Sequence, residues 1–224
     1  MVILPIILAR GGSKSVPRKN IRDLNGRPLL SYALTEALKV FPKVFLSTED
    51  SEIAEVGARY GATVLPRPQK YAQDDSKSIN TVKYHLRGLR ASEGQFEAIL
   101  LINACCPFTK QEDIRGVVDM YNGSKCDSVV SLVLDTSAHP SKTCYLLGDK
   151  IFPLQTNYSF ETGERQLQTK VFKRNTALYL SSVKTLKKGS LFGNVNLGYV
   201  MPKERSIDIN DEWDLKLANL ILNG

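Results

Sequence analysis

The feature that most constrains the fold is an uninterrupted apolar segment at the start of the chain. Residues 2–8 carry no polar side chain and run directly into the sequence ARGGSK. A strand that is apolar at every position, rather than at every second one, is typical of a parallel sheet covered by helices on both faces. A secretory signal would instead need a basic start and a small-residue cleavage site after the apolar run. We therefore predict that residues 2–8 form a buried central strand.

The rest of the chain alternates between short apolar runs and stretches in which apolar residues recur at helical spacing. Further strands are predicted at residues 44–47, 62–65, 98–102, 128–134 and 177–181. Helices are predicted at about 30–38, from a Ser51 cap to 58, from Ser78 to about 91, at 112–121 and at 211–222, the last with Trp213, Leu217, Leu220 and Ile221 as its packing face. Alternating strands and helices with short connections predict an α/β domain with a mostly parallel sheet and helices on both faces.

The strand and helix pattern breaks after Asp135. Residues 136–172 contain short extended pieces and many polar side chains. We predict that this segment leaves the sheet as a small β arm.

Positive charge is concentrated near the start of the chain, which has a formal net charge of +7. Before residue 36 the bases are Arg10, Lys14, Arg18, Lys19, Arg22 and Arg27. No aromatic side chains are interleaved with them and no nucleic-acid reading motif is present, so a nucleic-acid surface is disfavoured. The cluster begins where a strand ends, which is where open α/β sheets bind ligands. We predict a compact polyphosphate ligand, with a nucleic-acid-binding domain, whose affinity would fall steeply with salt, as an alternative.

Membrane and metal-centre classes are disfavoured by the composition. No run of about eighteen apolar residues is present, so no membrane span or membrane partner is expected. The four cysteines show no CxxC spacing, and the two histidines lie far from any cysteine pair, so no zinc site is expected. Reduced thiols in a cytoplasmic protein are the expectation.

The loop at residues 9–20, ARGGSKSVPRKN, carries the strongest chemical signal. It matches neither GxxxxGK[ST] nor GxGxxG. The adjacent Gly11 and Gly12 allow backbone N–H groups to approach a phosphate closely, since no Cβ intervenes. Ser13 adds a hydroxyl, and Arg10 and Lys19 add charge-assisted donors. We name residues 9–20 the basic loop and predict that it binds a triphosphate.

The basic loop resembles the signature of the CMP-N-acylneuraminate synthetases, whose usual form is ARGGSKG[IL]PxKN. Further resemblance follows in the same order along nearly the whole chain, at STED (47–50), RP (67–68), DSKS (75–78), HPSK (139–142), RQ (165–166), RNTALY (174–179) and SIDIN (206–210). The resemblance implies one Rossmann-like nucleotidyltransferase domain over residues 1–224. It also implies an enzyme that transfers CMP from CTP to an acidic nine-carbon 2-keto sugar, uses Mg²⁺, and forms a homodimer through the arm at about 136–172.

The resemblance also implies roles for individual residues. The implied CTP-binding residues are Arg10, Gly11, Gly12, Ser13, Lys19, Asn20, Arg67 and Ser78. The implied sugar-binding residues are Asn103, Lys142, Arg165, Asn175 and Tyr179. Lys19, Arg10 and Asp208 are the implied catalytic residues, and Asp208 with Asn210 is the implied magnesium site.

Several positions depart from the family pattern. Ser15 and Thr176 stand where the family usually has glycine, and Thr109 stands where it usually has arginine. Asn210 replaces the second aspartate of a D-x-D pair. In an extended segment, residues 208 and 210 project from the same face, so Asp208 and Asn210 still offer two oxygens with one charge fewer. We expect phosphate oxygens and water to complete the magnesium shell.

The sequence leaves the acceptor sugar open. N-acetylneuraminate, legionaminate, pseudaminate and a Kdo-type acid all fit the pattern. A catalytically weak CTP-binding protein is the alternative from another class, since Asn210 and Thr109 would then reflect lost chemistry. Cys105 and Cys106 are expected to be packing residues, because the implied reaction needs no covalent intermediate.

Overall fold

A seven-stranded sheet forms the centre of the protein in a computed structural model that describes residues 2–92, 95–135, 143–154 and 170–224. In chain order the strands are β1 (Ile3–Leu8), β2 (Asp23–Leu24), β3 (Arg27–Pro28), β4 (Phe45–Thr48), β5 (Thr63–Pro66), β6 (Ala98–Ile102), β7 (Ser128–Asp135), β8 (Cys144–Leu147), β9 (Lys150–Pro153), β10 (Val171–Ser182) and β11 (Asn196–Val200). The helices are α1 (Leu29–Leu38), α2 (Ser51–Arg59), α3 (Ser78–Ser92), α4 (Gln111–Asn122), α5 (Val183–Lys187) and α6 (Glu212–Asn223).

The sheet is mostly parallel, as predicted. Its strand order is β11-β7-β10-β6-β1-β4-β5. Only β10 runs antiparallel to its neighbours, β6 and β7. Central strand β1 pairs in parallel with β4 on one side and β6 on the other, so that Ile6 lies opposite both Phe45 and Leu101. Strand β11, which pairs in parallel with β7, was not among the predicted strands.

Helices cover both faces of the sheet, which explains the unbroken apolar run in β1. Leu4 and Ile6 pack on one face against α3 and α5. Ile7 packs on the other face against α1, α2 and α4. Because successive side chains of a strand point to opposite faces, a strand buried between two helical layers needs apolar residues at every position.

The cap of α2 differs from the prediction. Asp50, not Ser51, is the capping residue, and its side chain accepts a hydrogen bond from the Ile53 amide at 3.0 Å. Ser51 is the first helical residue. A carboxylate at this position satisfies a free backbone N–H and also suits the positive end of the helix dipole.

Helix α6 is present with Asp211 as its cap, but the predicted packing face is wrong. Trp213 is 73% exposed and Leu220 is 71% exposed. The helix instead packs through Leu215 and Ala218 against a small cluster that includes Leu24 of β2. Because α6 lies against the β2–β3 hairpin rather than on the sheet, only a narrow face of the helix is buried.

The predicted arm is described only in part. Residues 143–154 form an antiparallel hairpin of β8 and β9. Its apolar side chains are largely exposed, with Leu146 at 68% and Leu147 at 69%. Residues 136–142 and 155–169 of the predicted arm lie outside the described residues. Among the helices of the described ranges, none is long and apolar enough to cross a bilayer.

Candidate active site

A cleft of about 490 Å³ opens where β1 ends. Six of the eight predicted CTP-binding residues line it: Arg10, Ser13, Lys19, Asn20, Arg67 and Ser78. The far wall comes from the segment after β5 and the start of α3, and includes Tyr71, Gln73, Asp74, Ser76 and Thr81. The basic loop therefore faces a polar wall at which the sequence motifs identified Arg67, Ser76 and Ser78.

Half of the predicted basic cluster faces the cleft. The bases that line it are Arg10, Lys14 and Lys19. Arg18 instead forms ion pairs with Asp50 and Glu52, and Arg22 lies 3.6 Å from Glu212. The guanidinium of Arg27 stacks 4.7 Å above the ring of Tyr32. These three bases hold the loop and the hairpin in place, and the ligand-facing charge is smaller than the sequence count suggests.

Asp74 lies between two of the cleft cations. Its carboxylate oxygens lie 2.5 Å from Nη1 of Arg10 and 2.5 Å from Nζ of Lys14. The hydrogen bonds from Lys14 and Arg10 hold the pKa of Asp74 below its usual range. The two neighbouring cations repel each other, and the Asp74 carboxylate between them relieves that repulsion. No sequence signal identified this residue, apart from its position just before the DSKS segment.

Asn20 stabilises the shape of the basic loop through a hydrogen bond of its side chain. Its side chain is 5% exposed, and Nδ2 donates to the carbonyl oxygen of Arg10 at 2.9 Å. The amide of Asn20 is therefore committed to shaping the loop that presents Arg10.

Gly11 and Gly12 are not among the residues that line the cleft. The N–H of Gly11 donates to Oε1 of Glu49 at 2.7 Å. A Cβ at Gly11 would lie 2.5 Å from Oδ2 of Asp50, so glycine is required here by packing. Gly12 is exposed, and a Cβ there would meet no neighbour among the described residues. Their contact with phosphate stays a prediction.

Arg67 reaches the cleft from a nearly buried position. Its Nε and Nη2 donate to Oε2 of Glu49 at 3.1 and 2.5 Å. Glu49 thus joins Arg67 to the amide of Gly11, and sequence reasoning did not assign it a role. Its place in the STED segment, directly after β4, was the signal available.

The 206–210 segment is bound to the basic loop. Nζ of Lys19 donates to the carbonyl oxygen of Ile209 at 2.8 Å, and Oγ of Ser15 donates to that of Asn210 at 2.5 Å. The amide of Ile209 donates in turn to the carbonyl oxygen of Cys105 at 2.9 Å, in the loop after β6. Three segments far apart in the sequence therefore meet beside Lys19.

Asp208 projects from this segment toward β10. Its Oδ2 accepts a hydrogen bond from Oγ1 of Thr176 at 2.7 Å. Asn210 is exposed, and its Nδ2 lies 3.2 Å from the carbonyl oxygen of Asp208. Within the described ranges, no three His, Cys, Asp or Glu side chains form a metal cluster. A single carboxylate fits a magnesium ion held mainly by nucleotide phosphates and water.

Two of the predicted sugar-binding amides lie next to Asp208 but are engaged by the protein. Nδ2 of Asn103 donates to Oγ1 of Thr176 at 3.3 Å. Asn175 is 4% exposed, and its Nδ2 donates to Oγ of Ser206 at 2.9 Å. Asn175 therefore anchors the backbone turn at Thr176 and does not lie on the cleft surface.

The remaining predicted sugar residues are only partly described. The ring of Tyr179 packs edge-on against Phe192 with centroids 6.2 Å apart. Burial raises the pKa of the Tyr179 hydroxyl. Lys142 and Arg165 lie outside the described residues.

The two adjacent cysteines are packed under the site. Cys106 is fully buried, and Cys105 lines the cleft. Burial raises the pKa of both thiols. Since the thiolate is the nucleophilic form, these side chains are poor nucleophiles at neutral pH. Thr109, the other family departure near this loop, is 1% exposed and is not among the residues lining the cleft.

Comparison with known proteins identifies relatives of the chain. It is 30% identical over 221 residues to N-acylneuraminate cytidylyltransferase from Escherichia coli O18:K1:H7, covering 96% of this chain and 51% of that protein. It is 32% identical over 198 residues to CMP-N,N'-diacetyllegionaminic acid synthase from Legionella pneumophila, covering 86% of this chain and 83% of that protein. The chain thus spans about half the length of the first relative.

A solved structure of similar fold is that of CMP:2-keto-3-deoxy-manno-octonic acid synthetase complexed with CTP. The TM-score is 0.72 at 12% identity, covering all of this chain and 99% of that one. The likeness shows that the two share the Rossmann-like nucleotidyltransferase fold.

A family model extends this likeness to the sequence. The model described as cytidylyltransferase matches residues 4–184, which include the basic loop, the wall of the cleft and the turn at Thr176. The 206–210 segment lies beyond the matched range. Because the match covers most of the sequence, the chain belongs to the cytidylyltransferase family.

Proposed function

We propose that the protein transfers CMP from CTP to the anomeric hydroxyl of an acidic 2-keto sugar of the sialic acid type. The hydroxyl oxygen forms a bond to the α-phosphorus of CTP, and the bond from that phosphorus to the oxygen bridging to the β-phosphate breaks. Pyrophosphate leaves, and the hydroxyl proton is released to solvent. The products are a CMP-sugar and pyrophosphate.

The observation that carries this proposal is the meeting of Arg10, Lys14 and Lys19 at one cleft. Three cations within one loop suit the charge of a triphosphate. The hydrogen bond from Lys19 to the Ile209 carbonyl ties the basic loop to the backbone that follows Asp208, the residue proposed to face a metal ion. A cleft of about 490 Å³ is large enough for a nucleotide.

Catalysis of such a transfer depends mostly on positioning and on stabilising charge. In this proposal Lys19 and Arg10 stabilise the negative charge that develops on the leaving pyrophosphate. Asp208, assisted by Asn210, would hold Mg²⁺, which when bound neutralises phosphate oxygens and lowers the pKa of the attacking hydroxyl. Asp74 releases Arg10 and Lys14 as the phosphates take its place.

The acceptor is proposed from the relatives' names. One relative is named for N-acylneuraminate and another for N,N'-diacetyllegionaminic acid, both acidic 2-keto sugars. We propose N-acetylneuraminate as the acceptor, with legionaminate, pseudaminate and a Kdo-type acid as the alternatives.

We also propose that the protein is a homodimer in the cytoplasm. The β8–β9 hairpin exposes Leu146, Leu147 and Ile151, an apolar surface that a second copy would cover. The four cysteines are free thiols, which suits a reducing compartment. Sedimentation equilibrium of the wild type and of Leu146→Asp tests the dimer: a wild-type mass of one chain would contradict it.

The test of function is pyrophosphate release from CTP and Mg²⁺ in the presence of each of the four acids. We expect release with one acid well above the rest, and none with ATP in place of CTP. CTP binding by calorimetry without release from any acid would instead favour the catalytically weak CTP-binding protein.

A further inference from the structure

Thr176 has a backbone conformation that its residue type disfavours. Its φ is +63°, in the left-handed region. For a β-branched residue this is an outlier, because the branched Cβ crowds the neighbouring carbonyl. The turn interrupts the pairing of β10 with β7, whose register shifts between Arg174 and Tyr179. Such strain persists only where the surroundings enforce it, and it is concentrated at functional sites.

The strained turn delivers the Thr176 hydroxyl to the centre of the site. Oγ1 lies 2.7 Å from Oδ2 of Asp208 and 2.7 Å from the carbonyl oxygen of Asn175. It also accepts a hydrogen bond from Nδ2 of Asn103 at 3.3 Å. The hydroxyl therefore connects the loop after β6, strand β10 and the 206–210 segment.

The turn itself has a separate anchor. The buried side chain of Asn175 accepts from Oγ of Ser131 at 2.5 Å and donates to Oγ of Ser206 at 2.9 Å. Glycine at 176 would adopt the same conformation without steric cost. What threonine adds over glycine at this position is the hydroxyl that reaches Asp208.

We propose that Thr176 is a positioning residue that fixes the Asp208 carboxylate through this hydrogen bond, an inference that rests on the proposed function. The backbone strain at 176 is retained because the hydroxyl orients the carboxylate proposed to face magnesium. Asn103 assists by donating to the same hydroxyl, and the single hydroxyl proton goes to the Asp208 carboxylate rather than to the Asn175 carbonyl because a charged acceptor binds it more strongly.

The first experiment separates the effect of the backbone strain at Thr176 from the effect of its hydroxyl. Thr176→Gly and Thr176→Ala remove the hydroxyl and reduce the strain, while Thr176→Ser keeps the hydroxyl. For the first two we expect a melting temperature no lower than wild type, a kcat at least tenfold lower and a half-saturating Mg²⁺ concentration raised about fivefold, with less change in the KM for CTP. Thr176→Ser should restore most of the kcat. Values of kcat and magnesium dependence within twofold of wild type in Thr176→Gly would overturn the proposal.

A control for glycine at a left-handed position is Asn25→Gly. Asn25 also has a left-handed backbone, with φ of +50°, but asparagine tolerates this region and the residue lies exposed in the β2–β3 turn. This variant should leave kcat and magnesium dependence unchanged. A tenfold fall in its kcat would show that glycine in a left-handed turn lowers activity without loss of the hydroxyl at 176, and would overturn the assignment to the hydroxyl.

The second experiment needs no substrate, metal or turnover. The shift in melting temperature caused by Asp208→Ala is measured in the wild type and in the Thr176→Gly background. If the two side chains are coupled, the two shifts should differ by at least about 2 °C, since residues in direct contact are non-additive. Additivity within about 1 °C would overturn the hydrogen bond as the link. This double-mutant cycle measures stability alone. It therefore tests the hydrogen bond even if no acid supports pyrophosphate release, an outcome that would refute only the proposed reaction.

Discussion

Arg67 and Glu49 form a nearly buried ion pair at the cleft, with Nη2 of Arg67 2.5 Å from Oε2 of Glu49. Their side chains are 5% and 10% exposed. The other carboxylate oxygen of Glu49 accepts the Gly11 amide at 2.7 Å. One side chain thus holds both the start of the basic loop and a cation of the opposite wall.

Replacing Glu49 with glutamine should destabilise the protein strongly. The substitution leaves the buried Arg67 charge without a partner, and breaking such a pair costs about 3–5 kcal/mol in the free energy of unfolding. Urea denaturation followed by circular dichroism measures the change. The matched control is Glu52→Gln, which removes a 65%-exposed partner of Arg18 and should cost under about 1 kcal/mol. Equal losses in the two variants would contradict the importance of burial.

Replacing Asp74 with asparagine should tighten CTP binding. Asp74 forms ion pairs with Arg10 and Lys14, so phosphates that bind these two cations must displace it. We expect the Kd for CTP to fall about fivefold. Isothermal titration calorimetry measures it, with Asp75→Asn as the control, since Asp75 is an exposed neighbour of equal charge. The same improvement in both variants would mean that only net charge matters.

Lys19→Ala should lower kcat by two to three orders of magnitude. Removing one preorganised donor to developing charge typically costs about 2.7–4 kcal/mol in the transition state. Steady-state pyrophosphate release provides the measurement. Lys14→Ala, at an 84%-exposed position in the same loop, should lose less than about tenfold. A Lys19→Ala variant within threefold of wild type would refute its catalytic role.

Asn210→Asp should strengthen the response to magnesium. A second carboxylate beside Asp208 adds a charged oxygen ligand suited to a hard cation. We expect the half-saturating Mg²⁺ concentration to fall severalfold in an activity titration. An unchanged titration would place Asn210 away from the metal, in agreement with a purely local hydrogen bond to the Asp208 carbonyl.

His85 should make the fold less stable in mild acid. It is 5% exposed and its Nε2 lies 2.7 Å from Oγ of Ser47. Burial, aided by the charge of Arg67, lowers the pKa of His85 to about 4. Because its unfolded pKa is near the ordinary value of about 6.5, the unfolded chain takes up a proton between those values and the folded protein does not.

The stability contributed by neutral His85 is therefore complete above about pH 6.5 and is lost progressively as the pH falls toward 4, by about 3 kcal/mol in all. Urea denaturation at pH 7.0 and 4.5 measures the loss. In His85→Gln the difference between the two pH values should shrink by most of that amount. An equally steep dependence in the variant would show that other groups cause it.

The strands and helices could largely be predicted because a sheet covered by helices on both faces requires recognisable apolar patterns in the sequence. The apolar run before Ala9 and the spacing of Leu30 and Leu34 each correspond to an element that packs in the core. Helix α6 shows the limit of such reasoning, since Trp213 has the right spacing but faces away from the neighbour the helix packs on. Which face of a helix is covered depends on tertiary placement, which periodicity does not encode.

The candidate site could be predicted where residues belong to a motif typical of ligand binding, and not where they only contact each other. Arg10 and Lys19 belong to a charged motif that points to phosphate chemistry. Glu49 and Asp74 bind those same elements from 38 and 64 residues away, and an isolated acidic residue carries no local pattern. Thr176 stands out in the sequence only as a replacement of the family's usual glycine, and its backbone angle and its contact with Asp208 are known only from the structure.

The hydrogen bond from Lys19 to the Ile209 carbonyl, together with that from Ser15 to Asn210, spans about 190 residues of sequence. During synthesis, the basic loop therefore emerges long before the segment that completes its surroundings. Until residue 210 has left the ribosome, a growing chain lacks these contacts, and its basic loop is not yet held on this side.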